Sequence, residues 1–164
     1  MARLTLFIVV ITMRALAQAP DLMVESMAFA NKHYIPYRYT CDAENINPGF
    51  RIGKIPLGTK SLVLIMIDTS AAFGEFDHWV VWNIPPTGKI NENSSPGVTG
   101  RNSRKENRYT GPCPPNGMHE YHFRIYALNT LLDISDTCAK QEVVKAMQGH
   151  VLAKGEAVGL FQRE

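Results

Sequence analysis

A continuous apolar run over residues 61–67 (SLVLIMI) limits the fold more than any other part of the chain. The run is rich in β-branched and other large apolar residues, and it lies between the turn residues Pro56 and Gly58 and the polar Asp68. A strand with apolar side chains on both faces has to be covered on both faces. The run therefore predicts a central strand that is buried from two sides.

Further strand patterns follow, separated by turn residues. Residues 78–84 (HWVVWNI) are apolar and aromatic and stop at two prolines, whereas residues 121–128 alternate between the two faces of a strand. Weaker strand patterns occupy residues 23–29, 37–39 and 157–161. Many short strands joined by turns that contain proline and glycine are typical of a mainly β sandwich.

One α-helix is predicted near the end of the chain. Residues 135–137 (SDT) offer side-chain oxygens for an N-cap, and apolar residues recur at helical spacing from Ala139 to Met147. Gly149 suits the position just beyond the end of a helix. The expected fold is thus a mainly β sandwich with one or two peripheral helices.

The N-terminal residues have the pattern of a secretory signal peptide. Arg3 precedes an apolar stretch over residues 4–13, and residues 15–17 (ALA) fit a small-residue cleavage site. The apolar stretch is too short to span a bilayer as a helix. We therefore expect a signal peptide over residues 1–17, one domain over residues 18–164, and a location in the periplasm or outside the cell.

Charge and cysteine spacing argue against two classes of function. The chain has 17 basic and 15 acidic residues, a balance that gives no reason to expect nucleic acid as a partner. Its three cysteines, Cys41, Cys113 and Cys138, include no CxxC pair of the kind that binds metal. In an exported protein two cysteines would oxidise to a disulfide and one thiol would remain free.

Residues 110–117 (TGPCPPNG) predict a stiff loop directly before a strand. Proline has a fixed φ and no backbone N–H, so the loop holds its shape with few hydrogen bonds, and rigid loops often frame functional sites. His119 and Tyr121 follow two positions apart on the strand, so they project to the same face. His78 begins another strand and Asp68 ends a third, but the sequence does not show that these strands are neighbours.

Four segments together resemble the phosphatidylethanolamine-binding, or Raf-kinase-inhibitor-like, family, in its bacterial branch. They are YIPYRYTCDAENINP, IDTSAAFGEFDHWVVWNIP, GRNSRKENRYTGPCPPNGMHEYHFRIYAL and MQGHVLAKGEAVGLFQR, and they run in order through nearly the whole mature chain. The resemblance implies a β-sandwich with a small anion-binding pocket at one end. It also implies a non-catalytic binding or inhibitor-type module without a cofactor, and self-association as a homodimer.

The resemblance assigns site residues one by one. The matched positions are the aspartate that begins the family's D-P-D-A-P turn, the histidine of its H-W strand, the G-P-x-P-P-x-G loop and the H-x-Y that follows: Asp68, His78, Gly111, Pro112, Pro114, Pro115, Gly117, His119 and Tyr121. In the family these groups line a cavity that binds phosphate-like anions and the phosphoethanolamine headgroup. Asp68 would fix a histidine tautomer or favour its protonated form. The resemblance also places Cys41 and Cys113 near each other at the rim, where they could form a disulfide.

One departure from the family pattern leaves other functions open. The D-P-D-A-P turn appears here as residues 68–72 (DTSAA), without the second aspartate and both prolines, which puts the identity of the ligand in question. Ser70, with His78 or His119, supplies the residue types of a serine hydrolase, although no G-x-S-x-G motif surrounds it. His78, His119 and Asp68 also match a 2-His-1-carboxylate metal set. The sequence does not identify a protein target.

Overall fold

The computed structural model describes residues 21–163, which form two β-sheets and one helix. A three-stranded sheet has the order β1-β3-β6, and a six-stranded sheet has the order β2-β9-β8-β4-β5-β7. The strands are β1 Met23–Ser26, β2 His33–Tyr34, β3 Phe50–Gly53, β4 Ser61–Asp68, β5 Phe76–Ile84, β6 Lys89–Ile90, β7 Val98–Thr99, β8 His119–Leu128 and β9 Val151–Phe161, and the helix is α1 Lys140–Ala146. The mainly β sandwich with a peripheral helix is therefore confirmed.

The predicted central strand is β4, and every residue in it is buried. Its inner face, with Leu64 and Met66, joins the core between the two sheets. Its outer face, with Ile65 and Ile67, packs with Val143 of α1 in a second apolar cluster. The continuous apolar run thus reflects a strand that lies between a sheet and a helix, each of which covers one face.

Strand β8 shows why its sequence alternates. It pairs antiparallel with β4 on one side and with β9 on the other. Tyr121, Phe123 and Ile125 point into the core between the sheets, while His122 and Arg124 lie on the half-buried outer face. The alternation therefore places the side chain of Tyr121 on the inner face, at the end of the sheet where β8 begins.

Two predicted elements differ from the structure. Residues 37–39, predicted as a strand, form a short 3-10 helix, Tyr37–Tyr39, in which the Tyr39 N–H donates to the carbonyl of Pro36. The helix begins at Lys140 instead of after residues 135–137, because the Ser135 hydroxyl and carbonyl accept hydrogen bonds within a separate turn. The carboxylate of Glu142 accepts the N–H of Ala139 instead and caps α1.

The signal peptide expected over residues 1–17 lies outside the described residues. Within residues 21–163, no helix is both long and apolar enough to cross a bilayer. Gly149 has a φ of 78°, as expected for the residue that ends a helix in the left-handed region.

Candidate functional site

The pairing of β4 with β8 brings Asp68 next to two polar side chains. Asp68 lies directly opposite Tyr121 in the pairing, and His119 lies two residues before Tyr121 on the same face. The Nδ1–H of His119 donates to Oδ2 of Asp68 across 2.7 Å. Both side chains are almost completely buried, His119 at 8% exposure and Asp68 at 4%. A buried histidine–carboxylate pair of this length is a strong hydrogen bond, and it holds the imidazole in one orientation.

The second carboxylate oxygen of Asp68 organises the turn that follows it. Oδ1 accepts the backbone N–H of Ser70 at 2.8 Å, and the Ser70 hydroxyl accepts the N–H of Glu120 at 3.1 Å. The turn is thus tied to the start of β8 even without the prolines of the family pattern. Since the Ser70 hydroxyl bonds to Glu120 and forms no hydrogen bond with an imidazole of the described chain, the serine hydrolase interpretation loses its support.

A bulge in β5 decides where His78 points. Met66 pairs with Trp79 and Ile67 with Asp77, so His78 is the extra residue between the two pairs. Trp79 packs in the inner core, and the His78 ring also lies inside, 5.3 Å from the ring centre of Tyr121 in an edge-on contact. Consecutive residues of a regular strand would face opposite sides. The bulge therefore turns His78 toward Tyr121.

His78 is held by Thr110, which stands just before the proline loop. The Nδ1–H of His78 donates to the carbonyl of Thr110 at 2.7 Å, and the N–H of Thr110 donates back to the carbonyl of His78 at 3.1 Å. Burial, the largest effect, lowers the pKa of His78, while the bond to Thr110 and the charge of Asp68 act against it. The neutral imidazole is therefore favoured.

The Tyr121 phenol lies between the two imidazoles. Its ring centre is 6.4 Å from that of His119, in a stacked arrangement, and the side chain is completely buried. The hydroxyl forms no hydrogen bond with any described residue. Burial raises its pKa, and the nearby Asp68 carboxylate raises it further, so the phenol stays a neutral donor. A buried hydroxyl without a partner costs free energy, which makes it a candidate for contact with a ligand.

The proline loop packs against the segment around Thr40. A Cβ on Gly111 would lie 2.2 Å from the carbonyl oxygen of Tyr39, so only glycine fits there. The carbonyl of Pro112 accepts the N–H of Cys41. Gly111, Pro112 and Pro114 are buried beside the site, whereas Pro115 and Gly117 are exposed.

A disulfide joins this loop to the neighbouring one at the rim of the site. Cys41 and Cys113 are bonded, with their Cα atoms 5.5 Å apart, and Cys138 is a free thiol. The guanidinium of Arg163 lies 3.1 Å from the Cys41 sulfur and 3.2 Å from the Cys113 sulfur. It also donates two hydrogen bonds to Asp42, at 2.6 and 2.7 Å. The positively charged end of Arg163 therefore lies over the disulfide.

Two cavities are lined by residues other than Asp68, His78, His119 and Tyr121. A cavity of about 560 Å³ near the site is lined by Tyr37, Asp42, Phe161, Gln162 and Arg163. Phe161 lies opposite His119 in the pairing of β8 with β9. Another cavity, of about 600 Å³, is lined by residues of the outer face of β8 and β9 and by the chain before β1: Asp21, Leu22, Arg124, Tyr126, Lys154, Gly155 and Glu156. The four polar side chains thus form a buried cluster beside the first of these cavities.

A metal centre has little support in this arrangement. In the part of the chain that the structure describes, no three His, Cys, Asp or Glu side chains are placed to hold one ion. Both carboxylate oxygens of Asp68 already accept hydrogen bonds, one from His119 and one from the backbone N–H of Ser70. His78 donates its Nδ1–H to the carbonyl of Thr110.

A match to a protein-family model identifies the family of this chain. The model for the phosphatidylethanolamine-binding protein family matches residues 25–162. The chain belongs to this family. Its relatives include archaeal and bacterial proteins: a UPF0098 protein of Pyrococcus horikoshii is 41% identical over 150 residues, 85% of this chain and 76% of the relative. A UPF0098 protein of Chlamydia trachomatis is 32% identical over 153 residues, 87% of this chain and the whole of the relative.

Solved structures show the same fold. A phosphatidylethanolamine-binding protein homologue of Chlamydia trachomatis superimposes with a TM-score of 0.84 at 31% identity, over 89% of this chain and all of the other. YbcL of Escherichia coli, described as a member of the mammalian family, superimposes with a TM-score of 0.81 at 23% identity, over 88% of this chain and 99% of YbcL. The likeness to YbcL concerns the fold alone.

Within this family member, several residues that support the site were not singled out from the sequence. Thr110 orients His78, and the side-chain amide of Asn102 donates to the Thr110 hydroxyl at 3.0 Å. The Asn45 side chain accepts the N–H of Gly111 at 2.7 Å. Arg163 covers the disulfide. Only the position of Thr110, directly before the rigid loop, could have indicated such a role.

Proposed function

We propose that this family member is a non-catalytic binding module whose site holds a small anion, either phosphate or the phosphoethanolamine headgroup. The observation that carries the proposal is the buried pair of His119 and Asp68 beside the hydroxyl of Tyr121, which has no hydrogen-bond partner in residues 21–163. Buried polar groups in proteins normally have hydrogen-bond partners. A ligand that accepts hydrogen bonds would supply the missing one.

His119 is the main donor in this proposal. Its Nδ1–H is committed to Asp68, so only Nε2 remains for a ligand. Nε2 carries a hydrogen when both ring nitrogens are protonated. The pair can then present one positively charged donor to an anion.

Tyr121 is the second donor. Its hydroxyl is buried and remains protonated because burial raises the pKa. Binding of an anion oxygen would satisfy this hydroxyl and recover the free energy lost when it was removed from water. The donor is neutral, so it adds direction to the interaction without adding charge.

Two arginines support the attraction of an anion. The positive charge of Arg104 lowers the pKa of His78, and that of Arg163 lowers the pKa of Tyr121. Positive groups near a site raise the rate at which anions reach it. Arg163 is partly neutralised by its ion pair with Asp42.

Titration calorimetry with phosphate and phosphoethanolamine tests the proposal. Replacing His119 with Ala should weaken binding by about 1.5–3 kcal/mol, the usual size of a hydrogen bond to a charged group. His122→Ala is the matched control, since His122 lies on the outer face of the same strand and contacts Glu156 instead. Equal binding by wild type and His119→Ala, or no binding to wild type, would contradict the proposal.

Export and self-association are separate parts of the proposal. The sequence pattern of residues 1–17 supports cleavage before Gln18 and a periplasmic or secreted location. Intact mass measurement of protein from the cell envelope and cytoplasm tests the first, and light scattering tests the expected homodimer. A cytoplasmic protein that retains Met1, or a monomer at working concentration, would contradict the respective part.

A further inference from the structure

The disulfide between Cys41 and Cys113 has a positive charge directly beside its sulfur atoms. The guanidinium of Arg163 lies 3.1 Å from the Cys41 sulfur and 3.2 Å from the Cys113 sulfur. A disulfide sulfur is uncharged and accepts hydrogen bonds only weakly, so the contact adds little to the oxidised protein. A thiolate at the same place would carry a full negative charge against the guanidinium. The contact therefore favours the reduced pair over the oxidised one.

The disulfide and the charge beside it lie at the surface. Cys41 and Cys113 are half-buried, and the Arg163 side chain is 38% exposed. Arg163 also lines the cavity of about 560 Å³ at this rim. Exposed disulfides are the ones that exchange with thiols, whereas buried structural disulfides resist reduction.

Asp42 makes the two sulfur atoms unequal. Its Oδ1 lies 3.6 Å from the Cys41 sulfur. The hydrogen bond from Arg163 lowers the pKa of the Asp42 carboxyl, so this group is ionised at neutral pH. A carboxylate beside Cys41 disfavours a thiolate there. Cys113 lies under the same guanidinium, and its neighbours in the chain are two prolines, so it is the better leaving group when the S–S bond breaks.

The charge of Arg163 persists under these conditions. Its hydrogen bond to Asp42 raises the pKa of the guanidinium. The phenols of Tyr37 and Tyr121 also act on Arg163, and an uncharged phenol does not neutralise it. Within residues 21–163, the charged groups that contact the two sulfur atoms are thus Arg163 and Asp42.

We propose that the disulfide is a thiol–disulfide exchange site of the folded protein, at which a dithiol reductant attacks Cys41 and expels Cys113 as a thiolate held by Arg163. In the first step, one thiol of the reductant loses its proton and bonds to the Cys41 sulfur, while the bond to Cys113 breaks and leaves its electron pair on Cys113. In the second step, the other thiol loses its proton and attacks the reductant sulfur of this mixed disulfide. Cys41 then leaves and takes up a proton. The dithiol is oxidised to a disulfide, and its two electrons reduce the cysteine pair.

The rate of reduction distinguishes this role of Arg163 from simple shielding, and it does not depend on the proposed anion binding. Oxidised protein is mixed with dithiothreitol at neutral pH, and free thiols are alkylated and counted by mass. The oxidised chain has one free thiol, Cys138, and the reduced chain has three. In Arg163→Gln we expect the second-order rate constant to fall about threefold or more, because the leaving thiolate loses its countercharge. Faster reduction of this variant would mean that Arg163 only shields the disulfide, and would overturn the proposal.

Arg38→Gln is the matched control for this measurement. Arg38 is another exposed arginine, and its guanidinium pairs with Glu44 and Glu92. This variant should keep the wild-type rate constant. A loss of rate equal to that of Arg163→Gln would show that the effect comes from overall charge, against the proposal.

The dependence on reductant concentration shows whether exchange takes place in the folded state. The observed rate for wild type should rise in proportion to dithiothreitol. A rate that levels off at high dithiothreitol would mean that the chain has to unfold before the disulfide reacts. That result would overturn the proposal.

Two measurements assign the leaving group. After a brief reaction of oxidised wild type with glutathione and an acid quench, peptide mapping should find glutathione on Cys41. In Cys41→Ser, alkylation of Cys113 as a function of pH should give a thiol pKa below the ordinary value of about 8.5, and adding Arg163→Gln should raise it. Fully reduced wild type serves for the same pH profile if Cys41→Ser does not fold. Glutathione on Cys113, or a Cys113 pKa that does not respond to Arg163→Gln, would contradict the proposed step.

Discussion

His119 and Asp68 are 51 positions apart in the chain, yet the Nδ1 atom of the first lies 2.7 Å from a carboxylate oxygen of the second. The contact exists because β4 ends where β8 begins in the antiparallel sheet. It removes two polar groups from water and satisfies each with the other. The proposed anion site depends on this pair more than on any other contact.

Asp68→Asn should weaken phosphate binding about tenfold, because a neutral amide replaces the carboxylate whose charge-assisted hydrogen bond holds the His119 ring in place. The amide oxygen can still accept a hydrogen bond, so the fold should persist. Calorimetry and circular dichroism measure the two effects. Asp133→Asn is the control, since Asp133 is exposed and lies past the other end of β8. Wild-type affinity in Asp68→Asn would show that the carboxylate does not act through His119.

Tyr121→Phe should separate stability from binding. The lost hydroxyl has no partner among the described residues, so the free energy of unfolding should stay within about 0.5 kcal/mol or rise. Phosphate affinity should fall. Tyr109→Phe is the matched contrast: its hydroxyl donates to the carbonyl of Tyr39 at 2.9 Å, so its removal should cost about 1 kcal/mol. Urea denaturation measures both, and a large loss of stability in Tyr121→Phe would contradict the expectation.

Loss of the disulfide should lower stability substantially. Cys41 and Cys113 are 72 positions apart, and closing a loop of that length restricts the unfolded chain by about 4 kcal/mol in the chain-entropy model. We expect the double variant Cys41→Ala/Cys113→Ala to lose stability of this order in urea denaturation. Wild type in the presence of a reductant should behave like the double variant. If reductant has no effect on wild type, the bond does not stabilise the fold.

Stability should fall at alkaline pH. Burial and the hydrogen bond that its hydroxyl donates to Glu92 raise the pKa of Tyr39 to about 12, and burial also raises those of Tyr109 and Tyr121. In the unfolded chain these phenols ionise near the ordinary tyrosine pKa of about 10. Between these values the folded state holds more protons than the unfolded state, so the free energy of unfolding decreases as pH rises. Urea denaturation from about pH 9 to 12 measures the slope, and a flat profile would contradict it.

The strands were readable from the sequence because their patterns are local. The run that became β4 is apolar on both faces, and the alternation over β8 matches its one buried face. The first residue of α1 could not be predicted from the sequence in the same way. Ser135 looked like an N-cap, but its oxygens serve a turn, and the cap is supplied by Glu142 from within the helix. Local oxygen donors and acceptors can serve either structure, and packing decides between them.

The orientation of the His78 side chain shows most clearly what a local sequence pattern cannot predict. Strict alternation would put His78 and Trp79 on opposite faces, and only the bulge against β4 turns both inward. A bulge depends on the register between two strands, which no single strand encodes. The roles of Thr110 and Arg163 have the same origin, since each contacts residues that are distant in the chain.

By itself, the sequence determined the mainly β class, the central strand and the residue types near the end of the sheet. These follow from side-chain periodicity and from the fixed φ of proline, which act over a few residues. Only the tertiary structure decided that Asp68 bonds to His119, that His78 bonds to Thr110 and that the Tyr121 ring contacts both imidazoles while its hydroxyl has no hydrogen-bond partner among the described residues. The reason is that these contacts form between strands and loops brought together by burial of the common core, and a hydrogen bond depends on distances that local patterns do not specify.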